Sequence, residues 1–145
     1  MTKYLHTMIR VTDPHATIEF FNLIGLEEVR RQESAAGRFT LIFLAAPGQE
    51  GVAEVELTYN WPPEGGTGEA YTVGRNFGHL AFEVSDVYAT CQRVLDAGLT
   101  VHRPPRDGYM AFVKSPDGIS VELLQAGGPL APQEPWASME NTGSW

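Results

Sequence analysis

The sequence is poor in three features, and each absence excludes a class of protein. It has a single cysteine, Cys91, which cannot form an internal disulfide, so a reducing, cytoplasmic compartment is expected. Basic residues number 10 against 18 acidic ones, and the formal net charge is −8, which argues against nucleic acid or an anionic membrane as partner. No apolar run approaches the roughly 18 residues of a membrane span, and the opening residues lack the apolar core of a signal peptide.

What the sequence does contain is an internal repeat. Of its 145 residues 43% are apolar, enough for one compact domain with a real core. An offset of 73 residues aligns the pairs His6/His79, Val11/Val84, Asp13/Asp86, Ala16/Ala89, Thr17/Thr90, Gly25/Gly98 and Leu26/Leu99. Further along, Val55-Glu56-Leu57 matches Val121-Glu122-Leu123 at an offset of 66.

Each copy reads as a strand, a helix and about three more strands. HTMIRV and HLAFEV have the composition of strands, and Asp13 and Asp86 are placed to cap the helices that follow. We therefore predict an α+β fold of paired βαβββ modules around a curved mixed-sheet cleft. The modules would span residues 1–60 and 76–126, with a linker at 61–75 rich in proline and glycine and a tail at 127–145.

Four polar residues fall on the strand faces turned away from the predicted helices. Alternation along the strands gives this position to His6, Glu56, His79 and Glu122. Two imidazoles and two carboxylates lining one cleft would suit a borderline divalent metal such as Ni, Co, Fe, Mn or Zn. Any one of them alone would more often be an ordinary solvent-facing side chain, but their repeat-related positions favour a shared site.

Three other residues with reactive side chains lack this support. His15 lies in the first turn of a predicted helix, and His102 precedes a proline-rich loop, so both are interpreted as surface residues. Cys91 falls on the inner face of a helix, where a buried thiol is more common than a nucleophile.

Four segments of the sequence resemble those of a known protein family. LHTMIRVTDP, EVELTYNW, NFGHLAFEV and SPDGISVELL resemble the glyoxalase I (lactoylglutathione lyase) family of the vicinal oxygen chelate superfamily, over about residues 4–125. The resemblance implies isomerisation of the glutathione–methylglyoxal hemithioacetal to S-lactoylglutathione by proton transfer through a metal-stabilised enediolate. It also implies a homodimer whose active sites each take one module from each chain.

The resemblance assigns roles to individual residues. His6, Glu56, His79 and Glu122 would hold the metal, with Glu122 as the main base and Glu56 as its counterpart. The first ligand is a histidine and the long insertions of the zinc-type enzymes are absent, which is similar to the Ni²⁺- or Co²⁺-activated bacterial type. Arg10, Asn60 and Arg75 match positions that bind glutathione, the co-substrate.

The sequence also departs from the family pattern, and alternatives stay open. The loop RPPRDGYMAF is shorter than the family loop that closes over glutathione, so Arg103 or Arg106 would have to replace its lysine, and the tail is longer than usual. The alternatives are another enzyme of the superfamily, such as an acyl-CoA epimerase or a thiol transferase, and a non-catalytic binding protein of the same fold.

Overall fold

The computed structural model describes all 145 residues, which divide into two compact units. The first unit is Met1–Thr72 and the second is Val73–Trp145. The first contains β1 (His6–Arg10), α1 (Pro14–Leu23), β2 (Glu27–Ser34), β3 (Phe39–Ala45) and β4 (Glu54–Asn60). The second contains β5 (His79–Val84), α2 (Val87–Asp96), β6 (Val101–Arg103), β7 (Met110–Lys114) and β8 (Ser120–Gln125), then a short 3₁₀ helix at Trp136–Ser138.

The two units have the same sheet topology. Each contains a four-stranded sheet, in the order β1-β4-β3-β2 in the first unit and β5-β8-β7-β6 in the second. The first and last strands of each unit run parallel, and the other neighbours are antiparallel. The predicted α+β fold of paired βαβββ modules is confirmed.

The helices begin where the sequence predicts, because the same cap recurs. The side chain of Asp13 accepts a hydrogen bond from Ala16 N at 3.0 Å, and that of Asp86 accepts one from Ala89 N at 2.9 Å. These caps satisfy backbone N–H groups that have no partner within the helix. Neither α-helix has the length and apolar character needed to cross a bilayer.

The buried apolar residues hold each helix on one face of its own sheet. In the first unit Phe20 and Phe21 of α1 are buried, as are Ile42, Leu44 and Leu57 of the strands. In the second unit Cys91 and Val94 of α2 are buried, as are Val113, Val121 and Leu123. The side chains that alternate with these strand residues are therefore available on the opposite face of each sheet.

Residues 127–145, here called the tail, belong to the second unit and pack onto its strands and helix. Leu130 N donates to Gly108 O at 2.9 Å, and the Tyr88 hydroxyl donates to Ala131 O at 2.9 Å. Trp136 is buried and stacks on Tyr88 with ring centroids 6.4 Å apart. Gly108 has φ +71°, and a Cβ there would lie 2.1 Å from Leu130 O, so this close approach of two backbones requires glycine.

Candidate functional site

In the first unit, His6 and Glu56 lie on adjacent parallel strands. The register pairs His6 with Glu54 and Met8 with Glu56, so the imidazole reaches diagonally to the carboxylate. Nε2 of His6 lies 2.7 Å from Oε2 of Glu56. Phe43, the β3 partner of Glu56, meets the His6 ring edge-on with centroids 5.8 Å apart.

The second unit repeats this arrangement. His79 pairs with Ser120 and Ala81 with Glu122, and Nε2 of His79 lies 3.2 Å from Oε2 of Glu122. Phe112, the β7 partner of Glu122, meets the His79 ring edge-on with centroids 5.3 Å apart. We call each set of histidine, glutamate and phenylalanine a half-site.

The two phenylalanines were not identified from the sequence. Phe43 and Phe112 fix the imidazoles by packing against their ring edges, a geometry that aromatic rings favour. The detectable signal was an aromatic residue in the middle strand of both copies, TLIFLA and MAFVK. Its position opposite the glutamate becomes clear only once the strand register is known.

The half-sites differ in what covers the phenylalanine. In the first unit the Arg30 guanidinium lies 3.9 Å from the centroid of the Phe43 ring. The same guanidinium donates two hydrogen bonds to the buried carboxylate of Glu54, at 2.8 and 2.6 Å. These bonds hold the pKa of Glu54 at about 2, below its ordinary value. In the second unit Ser120 takes the position of Glu54, and the indole of Trp145 stacks on Phe112.

The donors of each half-site suit a divalent metal of borderline softness. An imidazole nitrogen and a carboxylate oxygen lie side by side, and the Glu56 side chain is only 11% exposed. Unlike Glu54, Glu56 accepts no hydrogen bond from a guanidinium; its side-chain contact is with His6. Imidazole nitrogen and carboxylate oxygen are both common ligands of such metals, so a divalent cation could bind at this pair.

One half-site offers two possible ligands, whereas such metals usually take four to six. The chain contains no cluster of three or more His, Cys, Asp or Glu side chains suited to a metal. Each histidine contacts the glutamate of its own unit, and no third ligand candidate joins either pair. A metal bound at a single half-site would need further ligands.

The three predicted substrate-binding residues lie outside the half-sites. Arg10 is exposed at the end of β1. Asn60, at the end of β4, lines a cavity of about 240 Å³ in the first unit. Arg75 lines a cavity of about 350 Å³ in the second unit, together with His79.

Other residues considered from the sequence have structural roles. Cys91 is fully buried, as predicted, and burial raises the pKa of its thiol to about 12. His15 is exposed, also as predicted, and contacts Glu19 at 3.2 Å. His102 was expected to be an ordinary surface residue, but it is half-buried and its Nδ1 lies 2.9 Å from Thr142 O, because the tail packs against it.

The arginines of the short loop are also engaged within the chain. Arg103 donates hydrogen bonds to Met110 O and to Asp107. Arg106 donates to Asn141 Oδ1 at 2.7 Å and to Met139 O at 3.1 Å, both in the tail. In this conformation both guanidinium groups hold the loop and the tail in place.

Comparison with known proteins identifies the family of the chain. The family model of the Glyoxalase/Bleomycin resistance protein/Dioxygenase superfamily matches residues 3–123. The lactoylglutathione lyase of Haemophilus influenzae is 39% identical over 127 residues, which cover 83% of this chain and 90% of that protein. The lactoylglutathione lyase of Neisseria meningitidis serogroup A is 37% identical over 129 residues, covering 85% and 90% of the two chains.

Solved structures give the same result. The trypanothione-dependent glyoxalase I of Leishmania major aligns with a TM-score of 0.75 and 33% identity, over 86% of this chain and 87% of that one. The chain therefore belongs to the glyoxalase superfamily and, within it, to the lactoylglutathione lyase (glyoxalase I) family.

Proposed function

We propose that this protein is a metal-dependent glyoxalase I. It would isomerise the hemithioacetal formed from glutathione and methylglyoxal to S-lactoylglutathione, and so detoxify 2-oxoaldehydes in the cytoplasm. The observation that carries the proposal is the repeated half-site, in a chain whose relatives at 37–39% identity are lactoylglutathione lyases. A non-catalytic binding protein would not need two histidine–glutamate pairs in equivalent positions.

The metal would be held by His6, Glu56, His79 and Glu122. When bound, a divalent ion supplies electrostatic stabilisation of negative charge that develops on substrate oxygens. Ni²⁺ or Co²⁺ is proposed over Zn²⁺, on the basis of the family resemblance. The fit of the donors, two imidazole nitrogens and two carboxylate oxygens, supports a borderline metal of this kind.

Glu122 is the proposed base. Its carboxylate would take the proton from the carbon that bears sulfur and return it to the neighbouring carbon, which converts the hemithioacetal into a thioester. Two features favour Glu122 over Glu56: its contact with histidine is longer, 3.2 against 2.7 Å, and its side chain is more exposed, 17% against 11%. The main ground for choosing Glu122 is the family resemblance, and its looser contact with histidine is consistent with that choice.

The remaining binding groups would hold the thiol. Arg10 presents a guanidinium, which can grip a carboxylate with two hydrogen bonds, and it is exposed at the end of the strand that carries His6. Asn60 offers an amide at the end of the strand that carries Glu56. Arg75 lies at the cavity that His79 lines, in a position to pair with a second carboxylate.

The proposed assembly is a homodimer in which each active site combines the first unit of one chain with the second unit of the other. The incompleteness of a single half-site supports this proposal. Mixing two inactive variants tests it. Dimers formed from His6→Gln and His79→Gln chains should regain activity, since one of their two sites then has all four ligands. The two variants are unfolded together and refolded so that mixed dimers can form. If each site forms within one chain, this treatment restores no activity.

Activity itself is tested by following thioester absorbance after glutathione and methylglyoxal are mixed with the protein. Metal is first removed with a chelator, and Ni²⁺, Co²⁺, Mn²⁺ and Zn²⁺ are then added back separately. Activity with Ni²⁺ or Co²⁺ exceeding that with Zn²⁺ is the expected result. No turnover with any of these ions would favour the binding-protein alternative.

A matched control separates the half-sites from ordinary histidine–glutamate contacts. His15 and Glu19 form a contact of 3.2 Å, the same length as that of His79 and Glu122, but on an exposed helix surface. His15→Gln should retain full activity, whereas His79→Gln should lose it. Equal losses in the two variants would contradict the assigned site.

A further inference from the structure

The cavity beside His79 has an unusual charge for this chain. It encloses about 350 Å³ and is lined by two cationic side chains, Arg75 and Lys114, and by no aspartate or glutamate. The chain as a whole has 18 acidic residues against 10 basic ones. A cavity of this kind attracts an anion, because the low-dielectric walls strengthen the field of the two cations. We call it the His79 cavity.

Lys114 lies on the same sheet face as the half-site. It pairs with Ser120 of β8, two residues beyond the pairing of Phe112 with Glu122, so alternation points its side chain to the same side. No carboxylate forms an ion pair with the Lys114 side chain. By contrast, His79 and five other basic side chains of the chain each contact a carboxylate. The equivalent residue of the first unit is Ala45, so the repeat does not require a lysine here.

The tail provides part of the wall of the same cavity. Ser144 and Trp145 line it, and the Trp145 ring stacks on Phe112 at 5.8 Å and 27°. Hydrogen bonds fix the approach to this position: Thr142 N donates to His102 O at 2.8 Å, and Arg106 holds Asn141. Trp145 is still 42% exposed, so much of its surface is open to a bound molecule.

The repeat supplies an internal comparison. In the first unit the guanidinium over the phenylalanine is neutralised by Glu54. In the second unit the cover is an indole, and the nearby lysine has no carboxylate partner. The anion-attracting face therefore belongs to the second unit, where Arg75 and Lys114 supply the positive charge and Trp145 supplies an apolar surface beside it.

We propose that Lys114 and Trp145 determine specificity for the thiol: Lys114 binds a carboxylate of the thiol, and Trp145 forms the apolar wall against which its chain lies. This inference rests on the proposed function and extends it to two residues with no assigned role. A molecule whose reacting carbons lie at His79 and Glu122 would reach the cavity directly, since His79 lines it. The favoured substrates are carboxylated thiols rather than neutral ones.

The test compares hemithioacetals made from glutathione and from glutathione diethyl ester, whose carboxylates are blocked. Lys114→Gln should raise KM for the glutathione adduct about tenfold, the effect of losing one charge-assisted hydrogen bond, with little change in kcat. With the diester, the same substitution should change KM less than twofold. Lys3→Gln, the other lysine of the chain, is the matched control and should behave as wild type.

Two substitutions test Trp145: one removes the aromatic ring, and the other keeps a smaller ring in its place. Trp145→Ala should raise KM for the glutathione adduct several-fold, and Trp145→Phe should restore most of the loss because a ring can still stack on Phe112. The proposal is overturned if Lys114→Gln leaves KM unchanged, or raises it equally for both thiols. The role of Trp145 is also rejected if Trp145→Ala has the same KM for the glutathione adduct as wild type.

A binding measurement keeps this inference separate from the proposed activity. S-methylglutathione, which cannot react, should quench tryptophan fluorescence in wild type and in Trp136→Phe, but not in Trp145→Phe. Quenching without any isomerase activity would leave the cavity assignment standing and reject the proposed reaction. An active enzyme whose quenching survives in Trp145→Phe would reject the cavity assignment alone.

Discussion

Replacing Arg30 by methionine should destabilise the protein although the guanidinium itself is half exposed. Arg30 donates two hydrogen bonds to Glu54, whose side chain is 3% exposed, while its own side chain is 52% exposed. Breaking a fully buried pair costs about 3–5 kcal/mol, and breaking an exposed one costs less than about 1 kcal/mol. Glu54 keeps a hydrogen bond from Gly51 N at 2.9 Å, so we expect an intermediate loss of about 2 kcal/mol.

Urea unfolding at neutral pH measures this loss, with Arg31→Met as the control. Arg31 is the next residue on the same strand and also donates two hydrogen bonds to a carboxylate, that of Glu28. Its pair is exposed, at 45% and 31%, so its replacement should cost less than about 0.5 kcal/mol. In thermal unfolding the Arg30 variant should melt about 6 °C lower. Equal losses for the two variants would refute the argument from burial.

The pH dependence of this difference follows from the pKa of Glu54. The two hydrogen bonds from Arg30 are the main cause that lowers it from 4.5 to about 2. A lowered pKa contributes stability that is fully present above the ordinary pKa and is lost as the pH falls toward the folded value. The gap between wild type and Arg30→Met should therefore be constant above about pH 5 and should narrow between about pH 4.5 and 2. A gap that widens on acidification would contradict the assigned ion pair.

Three other predictions concern the site and the core. Glu122→Gln should lower kcat by at least about a hundredfold while the far-ultraviolet circular dichroism spectrum stays that of a folded protein, since a base typically contributes that much or more; Glu19→Gln is the control, and near-normal turnover of the Glu122 variant would reject the assigned base. Arg10→Ala should raise KM for the glutathione adduct about tenfold with a smaller effect on kcat, because a charge-assisted hydrogen bond is lost; an unchanged KM would remove Arg10 from the thiol site. Cys91, whose thiol is buried with a pKa of about 12, should resist alkylation in the native protein at neutral pH and react after unfolding in urea; rapid labelling of the native protein would show that α2 opens.

Features of this fold that depend on local chemistry could be predicted from the sequence. Asp13 and Asp86 cap the helices as expected, because the signal lies within a few residues of the helix start. The strand face that carries His6 and His79 followed from simple alternation. The repeat then placed the glutamates on the partner strands, although the chain sequence did not show how close each pair would be.

Features that depend on tertiary contacts could not be predicted. The strand Glu27–Ser34 is mostly charged and exposed, so its composition does not resemble a strand; it forms because β3 offers an edge to pair with, and charged side chains are tolerated at such edges. The ion pair of Arg30 with Glu54 joins residues 24 positions apart. Trp145 contacts a strand more than 30 positions away, and no local pattern indicates where the end of an irregular segment will pack.

The central claim is that the two half-sites complete one metal centre, and the stoichiometry of nickel binding tests it most directly. Calorimetric titration of Ni²⁺ into the metal-free protein should give about one tight site per chain, since two half-sites together supply the four ligands. His6→Gln and His79→Gln should each weaken that single site, whereas His15→Gln should leave it unchanged. Two independent weak sites per chain, or tight binding that survives the loss of either histidine, would contradict the claim.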